Sequence, residues 1–485
     1  MTLHDDAAYQ ALTARDARFD GRLFVGVTST GIYCRPVCRV RLPRRENCRF
    51  FVNAALAESN GFRPCMRCRP EMAPGLSLND SSQVLAQQAA LMLAQAAHDG
   101  LDPPLPEVAA RLGVTDRHLR RIFMQAHGVT PIDYLTTQRL LLAKHLLTDT
   151  GLPVTQVALA TGYASLRRFN AAFAERYRMS PTALRRERND EGPTAADTVP
   201  TVRLAYRPPY DLPGVLAFFA NRAIDGVEAV EGLNVRRTLS LIHRGQVLAG
   251  WVEARFVPAR HELHLSVAPA LVPALGAVVQ RVRQCLDLDA DPSQVDPVLA
   301  LVPGALREGV RLPSGLDGFE IAVRVILGQQ VTVAAARTLT RRLVERFGEA
   351  LATPFPALHR LFPSAQALAA ADPEVIGKLG IVRQRVRALQ ALATEVAAGR
   401  LVLHRAAPLL ATLEALQALP GIGAWSAQLI AMRALAWPDA WPASDIGILN
   451  ALGTRDIKLA TEQAEAWRPW RAYAVMKLWL NLEPA

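Results

Sequence analysis

Four of the six cysteines stand in two close pairs near the N-terminus. The pairs are Cys34-x3-Cys38 and Cys65-x2-Cys68, and 26 residues separate them. Cysteine binds metals as the thiolate, and four thiolates in two close pairs suit the tetrahedral coordination of zinc. The spacing therefore predicts a zinc site. By itself it favours a purely structural one.

A glycine turn and an aspartate form a second candidate site in the C-terminal half. Residues 419–423, LPGIG, lie between two segments with helical periodicity. Such a turn presents backbone N–H groups at a helix N-terminus, where they can bind a DNA phosphate. Gly421, Gly423 and Ser426 are the predicted contacts. Asp445 follows this turn. One interpretation of this residue is that it caps the next helix.

The sequence around the cysteines resembles the N-terminal domain of the Ada adaptive-response regulators. The resemblance rests on YCRPVC at 33–38, REN at 45–47 and GFRPCMRC at 61–68, within residues 1–75. It implies that a single zinc ion has both a structural and an activating role. The ligands it implies are Cys34, Cys38, Cys65 and Cys68.

The same resemblance implies that Cys34 is a nucleophile, which accepts a methyl group from a methyl phosphotriester in the DNA backbone. A metal keeps a thiolate ionised at neutral pH, and a methyl carbon is unhindered for in-line attack. Methylation removes one negative charge from the zinc–thiolate centre, so we expect tighter DNA binding and activation of transcription afterwards. Thr30, Arg41 and Arg63 are predicted to hold phosphates, although such arginines can also form a solvated surface.

Two helix-turn-helix patterns follow at 105–127 and 152–177. In the first, Thr115 is predicted to cap the second helix. With a long connecting helix near 134–147, the two patterns resemble the AraC-type DNA-binding domain. A helix in the major groove needs polar, mainly basic side chains; the alternative is an ordinary helical bundle with a basic surface. The predicted DNA contacts are Arg117, Arg120, Arg167 and Arg168.

The C-terminal half resembles the AlkA type of 3-methyladenine DNA glycosylase, in the helix-hairpin-helix superfamily. The matching segments are YRPPYD at 206–211, GFEIAVRVILGQQVTVAAA at 318–336 and RPWRAYAVMKLW at 468–479. The resemblance implies hydrolysis of N-glycosidic bonds without a cofactor, with Asp445 as the catalytic carboxylate. A carboxylate beside the sugar stabilises the positive charge that develops there when the bond breaks.

Four further residues bear on the substrate of this half. Trp425 stands where bifunctional relatives carry a lysine nucleophile, so we predict a monofunctional enzyme without lyase activity. Its ring suits a base that alkylation has made cationic, although it can also be a core tryptophan. Tyr473 is predicted to line the same pocket, and Gln330 to fill the gap left by the flipped nucleotide. AlkA-type enzymes commonly have an apolar residue at the position of Gln330 and an aromatic one at Leu429.

Composition sets the class of protein. A chain of 485 residues, half of them hydrophobic, has room for several domains, and its net charge of +11 favours a polyanionic partner. We predict a multidomain, mainly α protein without a signal peptide or membrane span, monomeric and in the bacterial cytoplasm. Its expected partner is double-stranded DNA, with RNA polymerase a further candidate. The predicted segments are a small zinc-bound α/β domain (1–75), an AraC-type helical domain (80–188), a linker (189–200), a mixed α/β domain (201–305) and an all-α helix-hairpin-helix glycosylase domain (306–485).

Together these features predict a DNA alkylation repair and response protein. Two alternatives stay open: a transcription regulator whose glycosylase half is degenerate, and a glycosylase whose zinc module only targets it to DNA. Repair of O6-methylguanine is not expected, because the Pro-Cys-His-Arg motif that many Ada regulators carry does not occur after Cys68.

Overall fold

The fold is described by a computed structural model, which covers residues 5–16, 19–20, 23–51, 54–68, 70, 78–187 and 199–482. Most of the predicted linker, 189–198, lies outside these residues. Contacts divide the chain into two compact units, one of Met1–Leu93 with Pro103–Tyr134 and the other of Ala94–Asp102 with Leu135–Ala485. None of the described helices has both the length and the apolar character that a bilayer span requires.

The first unit begins with a small sheet whose strand order is β3-β1-β2-β4. Strand β1 pairs antiparallel with β2 and β3, and β2 pairs parallel with β4. Phe24, Tyr33, Phe51 and Phe62 form the buried core of this domain. Its elements are α1 (Asp5–Ala14), β1 (Phe24–Val27), β2 (Ile32–Cys34), β3 (Cys48–Phe51), α2 (Ala54–Ser59) and β4 (Arg63–Pro64).

Seven helices follow, and they contain both predicted helix-turn-helix patterns. The Thr115 hydroxyl accepts a hydrogen bond from the His118 amide at 3.3 Å and caps α5, as predicted. Ser165 caps α8 in the same way. The helices are α3 (Leu78–His98), α4 (Leu105–Arg111), α5 (Asp116–His127), α6 (Pro131–Asp149), α7 (Val154–Ala160), α8 (Leu166–Tyr177) and α9 (Pro181–Glu187).

A five-stranded antiparallel sheet of order β5-β9-β8-β7-β6 forms the mixed α/β domain. Side chains alternate between the two faces along β9, and Leu263, Leu265 and Val267 are buried on one of them. This is the pattern of a strand with one face packed on the core. The elements are β5 (Thr201–Ala205), α10 (Leu212–Arg222), β6 (Glu228–Glu231), β7 (Asn234–His243), β8 (Gln246–Val257), β9 (Glu262–Val267), α11 (Leu275–Cys285) and α12 (Pro292–Leu299).

Within the second unit, the turn between β7 and β8 contacts the second helix-turn-helix segment. The Arg244 guanidinium donates to the carbonyl oxygens of Gly100 and Leu159, each at 3.2 Å. Gly276, in α11, lies so close to α3 that an added Cβ would come within 2.6 Å of the His98 carbonyl oxygen. The second helix-turn-helix segment is therefore packed directly on the mixed α/β domain.

The last domain is helical, and it completes a core that is continuous with the α/β domain. Buried ion pairs join the two: Arg237 of β7 binds Glu320 of α13, and Arg324 of α13 binds Glu228 of β6. The helices are α13 (Gly318–Leu327), α14 (Val333–Phe347), α15 (Ala365–Ala369), α16 (Pro373–Gly377), α17 (Arg383–Ala397), α18 (Leu409–Gln417), α19 (Ala424–Arg433), α20 (Ile446–Ala451), α21 (Ile457–Ala464) and α22 (Arg471–Leu482). The chain is thus multidomain and mainly α, as predicted.

Candidate metal centre and active site

The small sheet brings the four paired cysteines together. Cys34 ends β2, and a turn from the Arg35 carbonyl to the Cys38 amide closes the first pair at 3.1 Å. The second pair comes alongside because the Cys65 amide donates to the Tyr33 carbonyl oxygen at 3.0 Å. All four sulfur atoms are buried and lie within 4.8 Å of one another; they belong to Cys34, Cys38, Cys65 and Cys68.

This donor set fits zinc. Zinc–sulfur bonds of about 2.3 Å in a tetrahedron place the sulfurs about 3.8 Å apart, within the spread seen here. The Cys34 thiol donates hydrogen bonds to the neighbouring Cys38 and Cys68 sulfurs, and these bonds, together with burial, raise the pKa of Cys34. A divalent cation among the four sulfurs would supply the positive charge that keeps Cys34 a thiolate.

The arginines near the metal centre differ in their exposure. Arg35 is 1% exposed and forms an ion pair with Asp20, so it supports the cysteine turn from inside. Thr30, Arg41 and Arg63 are exposed, as a phosphate contact requires. The four predicted contacts of the helix-turn-helix segments are also exposed on α5 and α8, namely Arg117, Arg120, Arg167 and Arg168.

A cavity of about 1120 Å³ opens in the second unit, between the α/β domain and the helical domain. Its walls come from α10, the turn between α13 and α14, α19, the start of α20 and α22. The lining includes Phe218, Trp425, Leu429, Asp445 and Trp479. Two indole rings and one phenyl ring thus surround a carboxylate, with an aliphatic residue at position 429.

Asp445 is held by three N–H donors. Its Oδ2 accepts from the Trp425 indole at 3.0 Å, and its Oδ1 accepts from the Trp479 indole at 3.0 Å and from the Ile448 amide at 3.1 Å. The carboxylate caps α20, which is the alternative weighed for it from the sequence, and it also lies on the cavity wall. With three donors it has one orientation, and 8% exposure leaves it little water.

Helix α22 contributes Trp479 to the cavity, and the prediction for Tyr473 needs correction. Tyr473 is not among the residues lining the cavity; its hydroxyl donates to Asp287 at 2.9 Å. The two aromatic residues are six positions apart, which in an α-helix places them on different faces. The amphipathic pattern of 468–479 did not show which face meets the cavity, so sequence reasoning missed Trp479.

The predicted hairpin and wedge lie at the rim of the same cavity. Gly421 has a φ of 79°, which favours glycine, and Gly423 is the residue before α19. Gln330 is exposed, lines the cavity and has a φ of 53°. Ser426 is 3% exposed, and its hydroxyl accepts a hydrogen bond from Gln329 at 2.9 Å. Its side chain is therefore held inside the protein, and the predicted contact with DNA is left to its backbone N–H.

Arginines line another part of the cavity wall. Arg324 is neutralised by Glu228 and Glu320. Burial, then the charges of Arg222 and Arg324, lower the pKa of Arg433 to about 9. A cationic base in this cavity would be attracted by the two tryptophan faces and by Asp445, and not by this wall.

Four protein-family models match successive parts of the chain. They are the metal binding domain of Ada at 7–71, a helix-turn-helix domain at 108–187, the AlkA N-terminal domain at 201–317, and the HhH-GPD superfamily of base excision DNA repair proteins at 323–466. Fold, cavity and cysteine cluster thus define a helix-hairpin-helix base excision repair protein that also carries an Ada-type metal-binding domain and a helix-turn-helix domain.

A relative that matches nearly the whole chain identifies the family more closely. A Mycobacterium tuberculosis protein described as a probable bifunctional transcriptional activator/DNA repair enzyme AlkA is 38% identical, over 99% of this chain and 97% of the relative. The chain belongs to this family of bifunctional activator/repair proteins.

Two relatives from Escherichia coli match separate parts of the chain. DNA-3-methyladenine glycosylase 2 is 36% identical over 57% of this chain and 95% of its own length. The bifunctional transcriptional activator/DNA repair enzyme Ada is 35% identical over 27% of this chain and 34% of its own length. More than half of the chain is therefore similar to one E. coli protein, and about a quarter of it is similar to another.

Proposed function

We propose that the C-terminal half hydrolyses the N-glycosidic bond of alkylated bases, of the 3-methyladenine type, in double-stranded DNA. The observation that carries this proposal is the carboxylate of Asp445, which is fixed on the cavity wall by two indole N–H groups and a backbone amide. A group that bears negative charge and cannot rotate away is what a developing oxocarbenium ion needs.

The chain's own residues account for each part of the hydrolysis. The flipped nucleotide enters the cavity, and its base lies among Phe218, Trp425 and Trp479. The C–N bond breaks with its electrons leaving on the base, while Asp445 stabilises the cation at the sugar. Water adds to the same carbon and loses a proton, which gives a free base and an abasic site. Because position 425 is tryptophan and not lysine, no Schiff base forms there and the strand stays intact.

The substitution Asp445→Asn tests this role. Asparagine also caps helices, so we expect the fold to persist, whereas release of bases from alkylated duplex DNA should fall by a factor of 100 or more, roughly what loss of a preorganised charge costs. Asp456→Asn is the matched control, since Asp456 caps α21 and does not line the cavity. Unchanged base release by Asp445→Asn would contradict the catalytic role of this residue, whereas no release by the wild type would leave the chain as a regulator with a degenerate glycosylase half.

We infer further that the N-terminal domain binds one zinc ion and that Cys34 accepts a methyl group from a DNA methyl phosphotriester. The bound metal would hold the four sulfurs as thiolates. The Cys34 sulfur then attacks the methyl carbon, a carbon–sulfur bond forms, the carbon–oxygen bond breaks, and the electrons return to the phosphate as an ordinary diester. Support comes from the four-sulfur cluster and from the family model for the metal binding domain of Ada.

Mass spectrometry tests this transfer. After incubation with methylated DNA, the peptide that contains Cys34 should gain one methyl group per molecule. The peptide with Cys48, also buried but outside the cluster, should stay unmodified. Methylation of neither peptide, with base release intact, would support the alternative in which the zinc domain only targets the glycosylase to DNA.

The last part of the proposal is that the helix-turn-helix segments bind an operator in DNA. Methylated Cys34 lowers the negative charge of the metal centre, which should tighten binding to an operator and activate transcription, with RNA polymerase as a further partner and the chain as a monomer. Operator affinity measured before and after methylation tests the switch. Equal affinities in the two states would contradict it.

A further inference from the structure

The turn between α13 and α14 carries Gln330, and it is tied to the DNA-binding hairpin by the residue before it. Gln329 Nε2 donates to the Gly421 carbonyl oxygen at 2.8 Å and to the Ser426 hydroxyl at 2.9 Å. On the other side, the Arg385 guanidinium donates to the Gln329 carbonyl oxygen. One side chain thus bridges two elements that are more than ninety residues apart in the sequence.

Gln330 needs such support for two reasons. Its φ of 53° lies in the left-handed region, which a side chain other than glycine adopts only when the surroundings hold it there. In addition, a residue that fills the space of a flipped base pushes against stacked base pairs, and unstacking costs a few kcal/mol. An exposed turn that nothing holds would move away from the duplex, and Gln330 would then not separate the stacked base pairs.

The hairpin is the suitable anchor. The sequence predicts that its backbone N–H groups hold a DNA phosphate, which would fix its position relative to the duplex. The bond from Gln329 to Gly421 then fixes the distance between the phosphate contact and the inserted residue. The Ser426 hydroxyl accepts a hydrogen bond from the same Gln329 amide group and is buried at the start of α19. Gln329 therefore also binds the helix that carries Trp425.

We propose that Gln329 is a positioning residue for nucleotide flipping: it holds Gln330 in its inserting conformation by bracing the α13–α14 turn against the hairpin. This inference rests on the proposed glycosylase function. It assigns to Gln329 no contact with the base and no part in bond cleavage. Loss of the brace should therefore slow excision only where the nucleotide has to be forced out of a stacked, paired duplex.

The isosteric substitution Gln329→Glu tests this by replacing the donor with an acceptor that the Gly421 carbonyl repels. Single-turnover excision of 7-methylguanine is measured in two duplexes, one fully paired and one in which the lesion lies opposite an abasic-site analogue and flips easily. We expect excision from the paired duplex to fall about tenfold, as loss of one or two hydrogen bonds predicts, and excision from the second duplex to stay within twofold. A 2-aminopurine next to the lesion should report slower flipping in the paired duplex.

Two variants complete the design. Gln390→Glu is the matched control, because Gln390 also donates to a backbone carbonyl, that of Ala371 at 2.8 Å, but does not line the cavity. Ser426→Ala removes one of the two acceptors and should show a smaller loss, again confined to the paired duplex, even if Gln329→Glu does not fold. Equal losses on both duplexes, or wild-type rates on both, would overturn the proposal. Absence of excision by the wild type would instead overturn the glycosylase function itself.

Discussion

At the scale of single residues, the carboxylate of Asp445 both caps a helix and lies on the cavity wall. Its Oδ1 accepts from a helix amide and from Trp479, while Oδ2 accepts from Trp425. Hydrogen bonds to a charged group are stronger than those between neutral groups. The indoles therefore fix the carboxylate in the cavity and at the same time form its aromatic wall.

Replacing Trp479 by phenylalanine separates these two contributions. The substitution keeps an aromatic ring but removes the N–H that binds Asp445, so we expect the single-turnover rate of base release to fall roughly tenfold, in line with a hydrogen bond to a charged group. Trp441→Phe is the control, because it removes an indole N–H bonded to Thr461 and does not line the cavity. An equal loss in both variants would show that the effect is not specific to the carboxylate.

Local spacing indicated the cysteine pairs, and the resemblance to known families indicated Asp445 and Trp425 as candidates. The sequence could not indicate Trp479 or Gln329, since their partners lie 34 and more than ninety residues away and only tertiary packing brings them close. Tyr473, which lies in the matching segment 468–479, was expected to line the cavity. Its hydroxyl instead binds Asp287 in the interior.

At the scale of elements, helix caps and turns were the most predictable features. Thr115 was expected to cap α5 and does so, because the hydroxyl satisfies an amide that has no partner within the helix. The connecting helix expected near 134–147 spans Pro131–Asp149. The backbone path of the hairpin between α18 and α19 depends on the glycine at position 421.

Gly421 and Gly423 make a matched pair for testing that path. Gly421 has a φ of 79°, and an added Cβ would lie 3.1 Å from Ala388, so Gly421→Ala should lower the free energy of unfolding by about 1–2 kcal/mol. Gly423 has a φ of −90° with open space for a Cβ, so Gly423→Ala should lose only the preference for glycine over alanine at the N-cap of α19, which is less than the loss at Gly421. Denaturant unfolding measures both, and similar losses would contradict the role of the left-handed turn.

At the scale of the whole molecule, the half-buried carboxylate of Asp287 links pH to the stability of the second unit. Burial raises the pKa of Asp287 from 3.8 to about 6. The folded protein thus holds a proton that the unfolded chain releases, and the free energy of unfolding from this group falls as pH rises from about 4 to about 6 and stays low above that.

The substitution Asp287→Asn should remove this dependence. Asparagine adopts left-handed backbone angles readily, which suits the φ of 50° at this position, and it carries no charge to bury. We expect the variant to match the wild type near pH 4 and to exceed it in unfolding free energy at pH 8 by up to about 3 kcal/mol. Denaturant unfolding at both pH values checks this, with the more exposed Asp289→Asn as control. Parallel pH profiles of variant and wild type would contradict it.

The contact of Arg244 with the carbonyl groups of Gly100 and Leu159 bears on how such a protein evolves. In Escherichia coli, similar parts belong to two separate proteins, whereas here a helix-turn-helix segment and the sheet domain share a packed surface. Recombination that exchanges one half for a homologous one must therefore carry both sides of that surface, and a break placed between residues 187 and 201, where the family models divide the chain, separates partners that fold against each other.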